Sequence, residues 1–378
     1  MNRGGATAAR VAEAAVTALV PVALALVASG ALLAVVGRDP FQFYADMFER
    51  GLLDWPGFQE SVVRMAPLLL IGAGLIVAFR ANLWNLGADG QFLLGAAFAA
   101  GLSPLFVDSL GSTLTLVVTI AIAAAVGALW TVIPAVLRGW YGVNEIITTL
   151  MMSFIGIALA NVLVKGPFRT DVGGVARTDT LPLDDRLPLL GDTLINAGII
   201  IAVAAILAVH LVMTRTSFGM RLRLLGQNPR AAEHAGLHTG RLTVLAFMAS
   251  GALIAVGGAV EILGLWGSFR ADFNPAFGLI VIPLVFLARL NAPGAAFFIA
   301  AFSVIQIGGE SAARKADVSS DVLLALVGLI LLFMAVTEYI RARRSARPRF
   351  LTPGLADRLG AAAPPDETRP AQSGVGTG

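Results

Sequence analysis

RLRLLGQNPRAAEHAGLHTGR, residues 221–241, is a polar stretch between two apolar runs, 194–213 and 244–265. Each run has the length of about 20 residues that a helix needs to cross a bilayer. An arginine-rich segment between two spanning helices is expected on the cytoplasmic side. The stretch therefore predicts a membrane protein in which two helices cross the bilayer on either side of a cytoplasmic loop.

The order of residues in this stretch predicts a short helix with two defined ends. Asn228 is a good N-cap, Pro229 fits the first helical position, and Gly236 can end the helix in a left-handed conformation. A helix of about two turns is marginal in water, so its flanking spans or a partner protein must hold it. Membrane topology alone would explain the charge, but the defined helix favours a docking element.

The composition excludes a water-soluble globular protein. Hydrophobic residues make up 57% of the 378 residues and charged residues 13%, whereas a soluble domain has about a quarter of its residues charged. The net charge of +3 comes from arginines at the ends of apolar runs, which indicates topology and no nucleic-acid partner. Because the chain has no cysteine, disulfides and thiolate metal sites are excluded. No cofactor is expected.

The apolar runs predict an all-α, polytopic transmembrane bundle of about ten spans, with the N- and C-termini in the cytoplasm. Residues 1–340 are expected to form the transmembrane domain, and residues 341–378 a cytoplasmic basic and disordered tail. The expected spans are 16–36, 62–79, 88–107, 114–136, 146–164, 194–213, 244–265, 277–287, 295–307 and 322–339.

Two polar segments are expected on the external side. Residues 38–60 carry carboxylates among Phe and Trp residues, which predicts an amphipathic segment at the interface, and residues 165–192 form the longest polar loop between spans. Arg314 and Lys315 break the charge pattern, because they also fall on this side. Either residues 277–307 form one re-entrant unit, or these two charges have an external partner.

Several polar side chains fall at or near membrane depth, where a carboxylate costs several kcal/mol unless it faces protein or water. Asn144 and Glu145 suit the N-cap and first turn of the helix that follows, and this interpretation is favoured over a polar pathway. Asp89 lies between Gly87 and Gly90, which favours a functional role. The candidates for a translocation pathway are Asn85, Asp89, Gln91, Asn144, Glu145 and Glu261.

Three motifs, in order along the chain, resemble one known family. NLWNLGADGQFLLGA, residues 82–96, is similar to the Asn-Ile-Gly-Ala-Glu-Gly-Gln signature of ATP-binding cassette (ABC) importer permeases for simple sugars, nucleosides and branched-chain amino acids. YGVNEIITTLMMSFIGIALANVLVKGPF, residues 141–168, is similar to the Gly-Val-Asn-Glu segment of the nucleoside branch, and GQNPRAAEHAG, residues 226–236, to the coupling segment. Asp89 replaces the usual Glu, and Ser153 stands where the nucleoside branch often has Asn.

The resemblance implies a type II importer-like permease in a bacterial inner membrane. It implies a cytoplasmic ABC ATPase, an external substrate-binding protein, and a second permease, homologous or identical, as partners. No Gly-x-x-x-x-Gly-Lys-Ser/Thr motif occurs in the chain, so ATP hydrolysis is expected in the ATPase and the chain is not expected to be an enzyme. The resemblance places ATPase coupling at Gly226, Asn228, Pro229, Ala232, Glu233 and Gly236.

The alternative is an ion-coupled secondary transporter of a small polar solute. It would use Asp89, Glu145 and Glu261 as coupling sites, and the apolar segment interrupted by Pro283 as a midplane site. The two hypotheses differ in whether uptake needs ATP or an ion gradient. Among importer substrates a nucleoside is favoured over a simple sugar, and an amino acid comes third. An intramembrane enzyme would need a catalytic constellation, and none is apparent.

Overall fold

The computed structural model describes residues 23, 24, 26–170, 174–317, 328, 329, 332, 333 and 336. Within these residues the chain is helical, and its extended segments form isolated bridges but no strand. Helices satisfy their own backbone hydrogen bonds in lipid, so the apolar composition and this architecture agree. The helices are α1 Leu26–Val35, α2 Pro40–Phe48, α3 Trp55–Arg80, α4 Ala88–Leu110, α5 Ser112–Trp130, α6 Val132–Tyr141, α7 Glu145–Lys165, α8 Gly198–Arg215, α9 Ser217–Gln227, α10 Pro229–His234, α11 Thr239–Glu261, α12 Phe277–Leu287 and α13 Ala292–Lys315, with π-helical turns at Glu49–Leu53 and Ile262–Trp266.

Seven segments of the described part are long and apolar enough to cross a membrane: α3, α4, α5 with α6, α7, α8, α11 with its π-helical turn, and α13. α1 and α12 are shorter apolar helices. These helices confirm an all-α protein with several membrane spans. The expected span 322–339 lies mostly outside the described residues, and the tail 341–378 lies wholly outside them. The count of ten, the sides of the termini and the division at residue 340 therefore stay predictions.

Two helices, α3 and α11, form the centre of the bundle. Of the most apolar 18-residue window in each helix, 83% is buried in α3 and 61% in α11, against 28% in α7 and α8. Glycines let the central helices meet at backbone distance. A Cβ atom on Gly258 would lie 1.9 Å from the Phe92 carbonyl oxygen, and one on Gly74 would lie 2.6 Å from the Ser250 carbonyl oxygen. Any larger residue at these positions would push the helices apart.

The first long span begins earlier than the expected Val62. α3 starts at Trp55, where the Asp54 carboxylate accepts the Gly57 N–H at 3.3 Å and Pro56 occupies the first turn. Hydropathy alone placed the boundary too late, because Glu60 made the first turns of this helix look polar. Residues 55–60 therefore belong to the same continuous helix as the apolar run that follows.

Lys315 has a partner in the segment that was expected outside the membrane. Its Nζ lies 3.0 Å from Oδ1 of Asp46 in α2. This hydrogen bond, together with the positive charge of Lys315, holds the pKa of Asp46 below its usual value. The neighbouring backbones are close enough that a Cβ atom on Gly308 would meet the Met47 carbonyl oxygen at 1.9 Å. Lys315 therefore has an ion-pair partner at the same end of the bundle, and the place of this pair on the external side stays a prediction.

The chain between α3 and α4 turns back into the bundle. Asn85 donates to Ser250 Oγ at 2.9 Å, and Ser250 lies in the middle of α11. Non-helical backbone is tolerated at that depth only where protein or water surrounds it, and Asn85 is completely buried. α4 therefore begins inside the bundle. α12 is too short to cross the bilayer alone, since its 11 residues span about 16 Å of a hydrocarbon core about 30 Å thick.

Candidate functional site

The short helix predicted in residues 221–241 is present as α10, which has six residues. Asn228 Oδ1 accepts the Ala231 N–H at 3.0 Å, and Pro229 takes the first helical position. At the other end the Leu237 N–H donates to the Ala232 carbonyl at 3.0 Å, with Gly236 at a φ of +79°. Both predicted ends are confirmed, because each residue makes the contact that its type allows.

One side of α10 packs against the bundle, and the rest of the helix is exposed. Ala232 is its one buried side chain, and Arg230, Glu233 and His234 are exposed. Glu233 accepts a hydrogen bond from Thr239 Oγ1 at 2.9 Å, which ties α10 to the first turn of α11. An exposed helix fixed at both ends suits a partner protein that moves it as a rigid body.

α9 and α3 meet directly behind α10. A Cβ atom on Gly226 would lie 2.7 Å from the Arg80 carbonyl oxygen, so the two backbones are in contact. The Arg80 side chain donates from Nε and Nη2 to the Leu290 carbonyl at 3.0 and 2.9 Å. Leu290 follows the end of α12. Through Arg80 the arginine-rich segment is therefore linked to the C-terminal end of the short apolar helix.

Asp89 links the other end of α12 to α4. Its Oδ1 accepts the Gly278 N–H at 2.7 Å, and Gly278 is the second residue of α12. A Cβ atom on Gly278 would lie 2.8 Å from this oxygen, so the contact needs glycine. The adjacent Gly90 N–H donates to Ser153 Oγ of α7 at 3.1 Å. The start of α4 thus contacts two other helices.

The backbone leaves the regular helical conformation on both sides of α12. Asp272 and Ala276 before it have φ values of +60° and +53°, and Arg289 and Leu290 after it have values of +52° and +57°. A left-handed conformation costs a residue with a side chain roughly 1–2 kcal/mol. α12 is therefore a short helix with left-handed residues, here called joints, on both sides. A hydropathy profile does not reveal this feature.

Asn85 and Gln91 face each other inside the bundle. Asn85 Nδ2 donates to Gln91 Oε1 at 3.0 Å, and Gln91 Nε2 donates to Asn85 Oδ1 at 2.8 Å, in the amide orientations that this network favours. Both side chains are buried, and Asn85 also accepts the Gly87 N–H at 3.3 Å. In this conformation the pair fixes the re-entrant turn before α4.

Asn144 and Glu145 occupy the start of α7. Asn144 Oδ1 accepts the Ile146 N–H at 2.9 Å, which confirms the N-cap. Glu145 lies in the first turn, and its Oε2 is 3.2 Å from Nε of Arg138 in α6. The predicted N-cap at Asn144 and the first-turn position of Glu145 are therefore both present.

Glu261 is paired with an arginine that the sequence analysis missed. Its Oε1 lies 3.1 Å from Arg64 Nη1 and accepts Trp266 Nε1–H at 3.0 Å. The Arg64 guanidinium lies 5.3 Å from the ring centroid of Phe277, the first residue of α12. The Glu261 side chain is 1% exposed and that of Arg64 is 14% exposed. The signal available in the sequence was one arginine near the start of an apolar run.

Three known proteins with similar sequences are named as transport subunits. A glucose ABC transporter permease of Haloferax volcanii is 33% identical over 366 residues, covering 93% of each chain. A nucleoside ABC transporter permease of Lactococcus lactis is 25% identical, covering 84% of this chain and 90% of the relative. A guanosine ABC transporter permease of Bacillus subtilis is 25% identical, covering 85% and 93%.

The family model described as "Branched-chain amino acid transport system / permease component" matches residues 58–335. The matched range begins in α3 and includes the turn before α4, α10 and α12. Because it covers more than half of the sequence, this chain belongs to the family of ABC transport-system permease components.

Proposed function

We propose that this chain carries a simple sugar or a nucleoside into the cytoplasm by alternating access. As a family member it is the multi-pass permease subunit of an ABC importer in the cell membrane, and ATP hydrolysis belongs to a separate subunit. The observation that carries the mechanism is α10, an exposed helix with two fixed ends whose neighbour α9 touches α3. Such a helix can transmit a movement of the partner ATPase to the bundle and keep its own conformation.

The coupling element comprises α10 and the residues that fix it. Asn228 and Pro229 define its start, Gly236 its end, and Ala232 its anchor in the bundle. Glu233 joins it to α11, and Gly226 lets α9 lie against α3. ATP-driven closure of the partner ATPase would move this unit and, through Arg80, the C-terminal end of α12.

The membrane-depth candidates divide into two roles in this proposal. Asn85 and Gln91 hold the re-entrant turn, while Asn144 and Glu145 hold the start of α7. Asp89 and Glu261 act on α12, one by holding its first N–H groups and the other through Arg64 above Phe277. These last two residues position the wall of the pathway, and the solute passes beside them.

The partners follow from the family and from the exposed α10. We assign a cytoplasmic ABC ATPase to α10, a substrate-binding protein to the opposite end, and a second permease, homologous or identical, beside this chain in the bilayer. The topology is about ten spans with both termini in the cytoplasm, as in type II importers. The absence of native cysteine allows single cysteines at Leu183 and Arg230 to test this with a membrane-impermeant maleimide. In intact cells Leu183→Cys should react and Arg230→Cys should not, and the reverse pattern would overturn the orientation.

The glucose and nucleoside relatives favour hydroxyl-rich solutes as substrates. A secondary transporter is less well supported, because the two deepest carboxylates already have partners. Asp89 accepts a backbone N–H and Glu261 pairs with Arg64. Both carboxylates are buried, and the charge of Glu261 is already balanced by Arg64.

The test is uptake of radiolabelled glucose, guanosine and leucine into cells with and without this gene. One arm depletes ATP while an ion gradient is kept, and the other collapses the gradient while ATP is kept. We expect gene-dependent uptake of glucose or guanosine that disappears with ATP alone. Uptake that survives ATP depletion and disappears with the gradient would establish the secondary transporter instead.

A further inference from the structure

A cavity of about 190 Å³ opens at the end of the bundle opposite α10. α11 leads from the α10 end to Glu261, and most of the cavity wall follows Glu261 in sequence. In the proposed topology this end faces the outside of the cell. The cavity is lined by Arg177, Ile262, Trp266, Ser268, Arg270 and Phe273.

Two extended segments hold the walls of this cavity in place. The Ala271 N–H donates to the Ala176 carbonyl at 2.9 Å, and the Thr178 N–H donates to the Phe269 carbonyl at 3.0 Å. Between these hydrogen bonds, Arg177 and Arg270 form an antiparallel bridge. Residues opposite each other in such a pair project to the same face, with Cβ atoms about 5 Å apart. The backbone therefore holds the two arginines next to each other, and both line the cavity.

The two arginines bring positive charge to the cavity; Arg270 is exposed to solvent and Arg177 is partly buried. Like charges directly opposite each other destabilise a strand pair, and no carboxylate lines the cavity. Among the described residues neither arginine has an ion-pair partner, and Arg177 Nε is buried without a hydrogen-bond acceptor. An acidic residue lies two positions after each arginine: Asp272 is engaged by Lys165 at 3.3 Å, and Asp179 is exposed. A buried donor without a partner costs free energy that a bound acceptor would recover.

The opposite wall of the cavity is aromatic. The rings of Trp266 and Phe273 have centroids 5.9 Å apart and planes at 65°. The Trp266 indole is fixed by its hydrogen bond to Glu261, and 49% of the residue remains exposed. A ring with an apolar face and a hydroxylated edge would contact these aromatic rings while its oxygens accept from the arginines.

We propose that this cavity binds one hydroxylated ring of the transported solute, a monosaccharide or the ribose of a nucleoside, as it enters the permease. The inference rests on the proposed function and names the site where the solute is first held. Pockets for drug-sized ligands have volumes of about 300–1,000 Å³, so this smaller space suits a single ring.

A chain of three contacts would link the residue beside the bound ring, Trp266, to the start of α12. Trp266 donates to Glu261, Glu261 pairs with Arg64, and Arg64 lies over Phe277. Occupancy of the cavity would therefore change the surroundings of the same carboxylate that helps to hold the position of α12. Solute entry and the movement of α12 are coupled through this contact.

The test measures binding of radiolabelled glucose and guanosine to the purified permease and ATPase assembly in nanodiscs, without the substrate-binding protein. The variants are Arg177→Gln with Arg270→Gln, each arginine changed to Lys, and Trp266→Leu. Arg314→Gln is the matched control, because Arg314 is exposed and belongs to the same end of the bundle. We expect the double Gln variant to weaken binding about tenfold or more. The Lys variants, which keep the charge and lose the planar fork, should lie in between.

Two results would overturn the site: an equal loss in Arg314→Gln, or unchanged solute affinity in the double Gln variant. If that variant, in a separate assay, also fails to capture the substrate-binding protein, the arginine pair is a protein-docking surface. Failure of the proposed function is distinguishable, since it would appear as wild-type uptake of these solutes that does not depend on ATP.

Discussion

The Asp89 carboxylate accepts the backbone N–H of Gly278 at 2.7 Å, which joins the first turns of two helices inside the bundle. Asp89 belongs to the first turn of α4 and Gly278 to the first turn of α12. A carboxylate near the N-terminal end of a helix is favoured by the helix dipole and by the free N–H groups there. The contact explains why an acid can be accommodated at this depth.

Replacing Asp89 tests whether this contact positions α12 for transport. Asp89→Leu leaves the Gly278 N–H buried without an acceptor, at a cost of about 1–3 kcal/mol, whereas Asp89→Asn keeps an acceptor oxygen. We expect Asp89→Leu to reduce uptake at least tenfold and to raise the ATP hydrolysed per solute transported, with Asn close to wild type. If Asn is impaired as severely as Leu, the charge matters and the positioning role is wrong.

Changes at the two ends of α10 should uncouple transport from ATP. Gly236 has a φ of +79°, which a β-branched residue rarely adopts, and loss of the Asn228 cap costs about 1 kcal/mol. Gly236→Val, and Asn228→Ala combined with Pro229→Ala, should abolish uptake and the stimulation of ATPase activity while the protein still inserts. The control is Gly174→Val, where a Cβ atom meets nothing within 4 Å and φ is not positive. Normal uptake in the α10 variants would remove the coupling role.

Loss of one partner of the ion pair between Arg64 and Glu261 should destabilise the fold more than loss of both. Removing one partner of a buried pair costs about 3–5 kcal/mol, because the other charge is left unpaired. We expect Arg64→Met and Glu261→Gln each to lower the thermal unfolding temperature in detergent, and the double variant to lie closer to wild type than either. Additive losses would mean that the two side chains are not coupled.

Glycine at the joint before α12 should stabilise the described conformation. Ala276 has a φ of +53°, and glycine avoids most of the roughly 1–2 kcal/mol that this conformation costs a residue with a side chain. Ala276→Gly should therefore raise the unfolding temperature, although glycine normally lowers it. Ala301→Gly, at an exposed position within α13, should lower it by the usual helix penalty of about 1 kcal/mol. Equal destabilisation by both changes would contradict a strained joint at Ala276.

The sequence was most informative where a local residue type fixes local geometry. The caps at Asn228, Asn144 and Gly236 follow from side-chain and backbone chemistry within a few residues, and all three are present. The multi-span helical fold follows from hydropathy, because lipid imposes the length of each helix. Glu145 in the first turn of α7 follows from the helix dipole.

Relationships between distant segments could not be predicted. The Asp89 contact with α12, the Arg64 partner of Glu261 and the Asp46 partner of Lys315 each join residues far apart in sequence. The start of α3 was also placed too late, because charged residues in a first turn lower the mean hydropathy to that of a loop. Of the left-handed residues beside α12, Ala276, Arg289 and Leu290 carry no turn signal, and only Asp272 is of a type that favours turns.

Photo-crosslinking from α10 tests the central claim most directly. The chain contains no cysteine, so Arg230→Cys can carry a single maleimide-linked photo-crosslinker, with Leu183→Cys at the opposite end of the bundle as its control. In membranes that contain the assembled and active transporter, we predict that Arg230 captures the ABC ATPase and that Leu183 does not. Capture of the ATPase from Leu183, or none from Arg230 while uptake stays normal, would contradict coupling through α10.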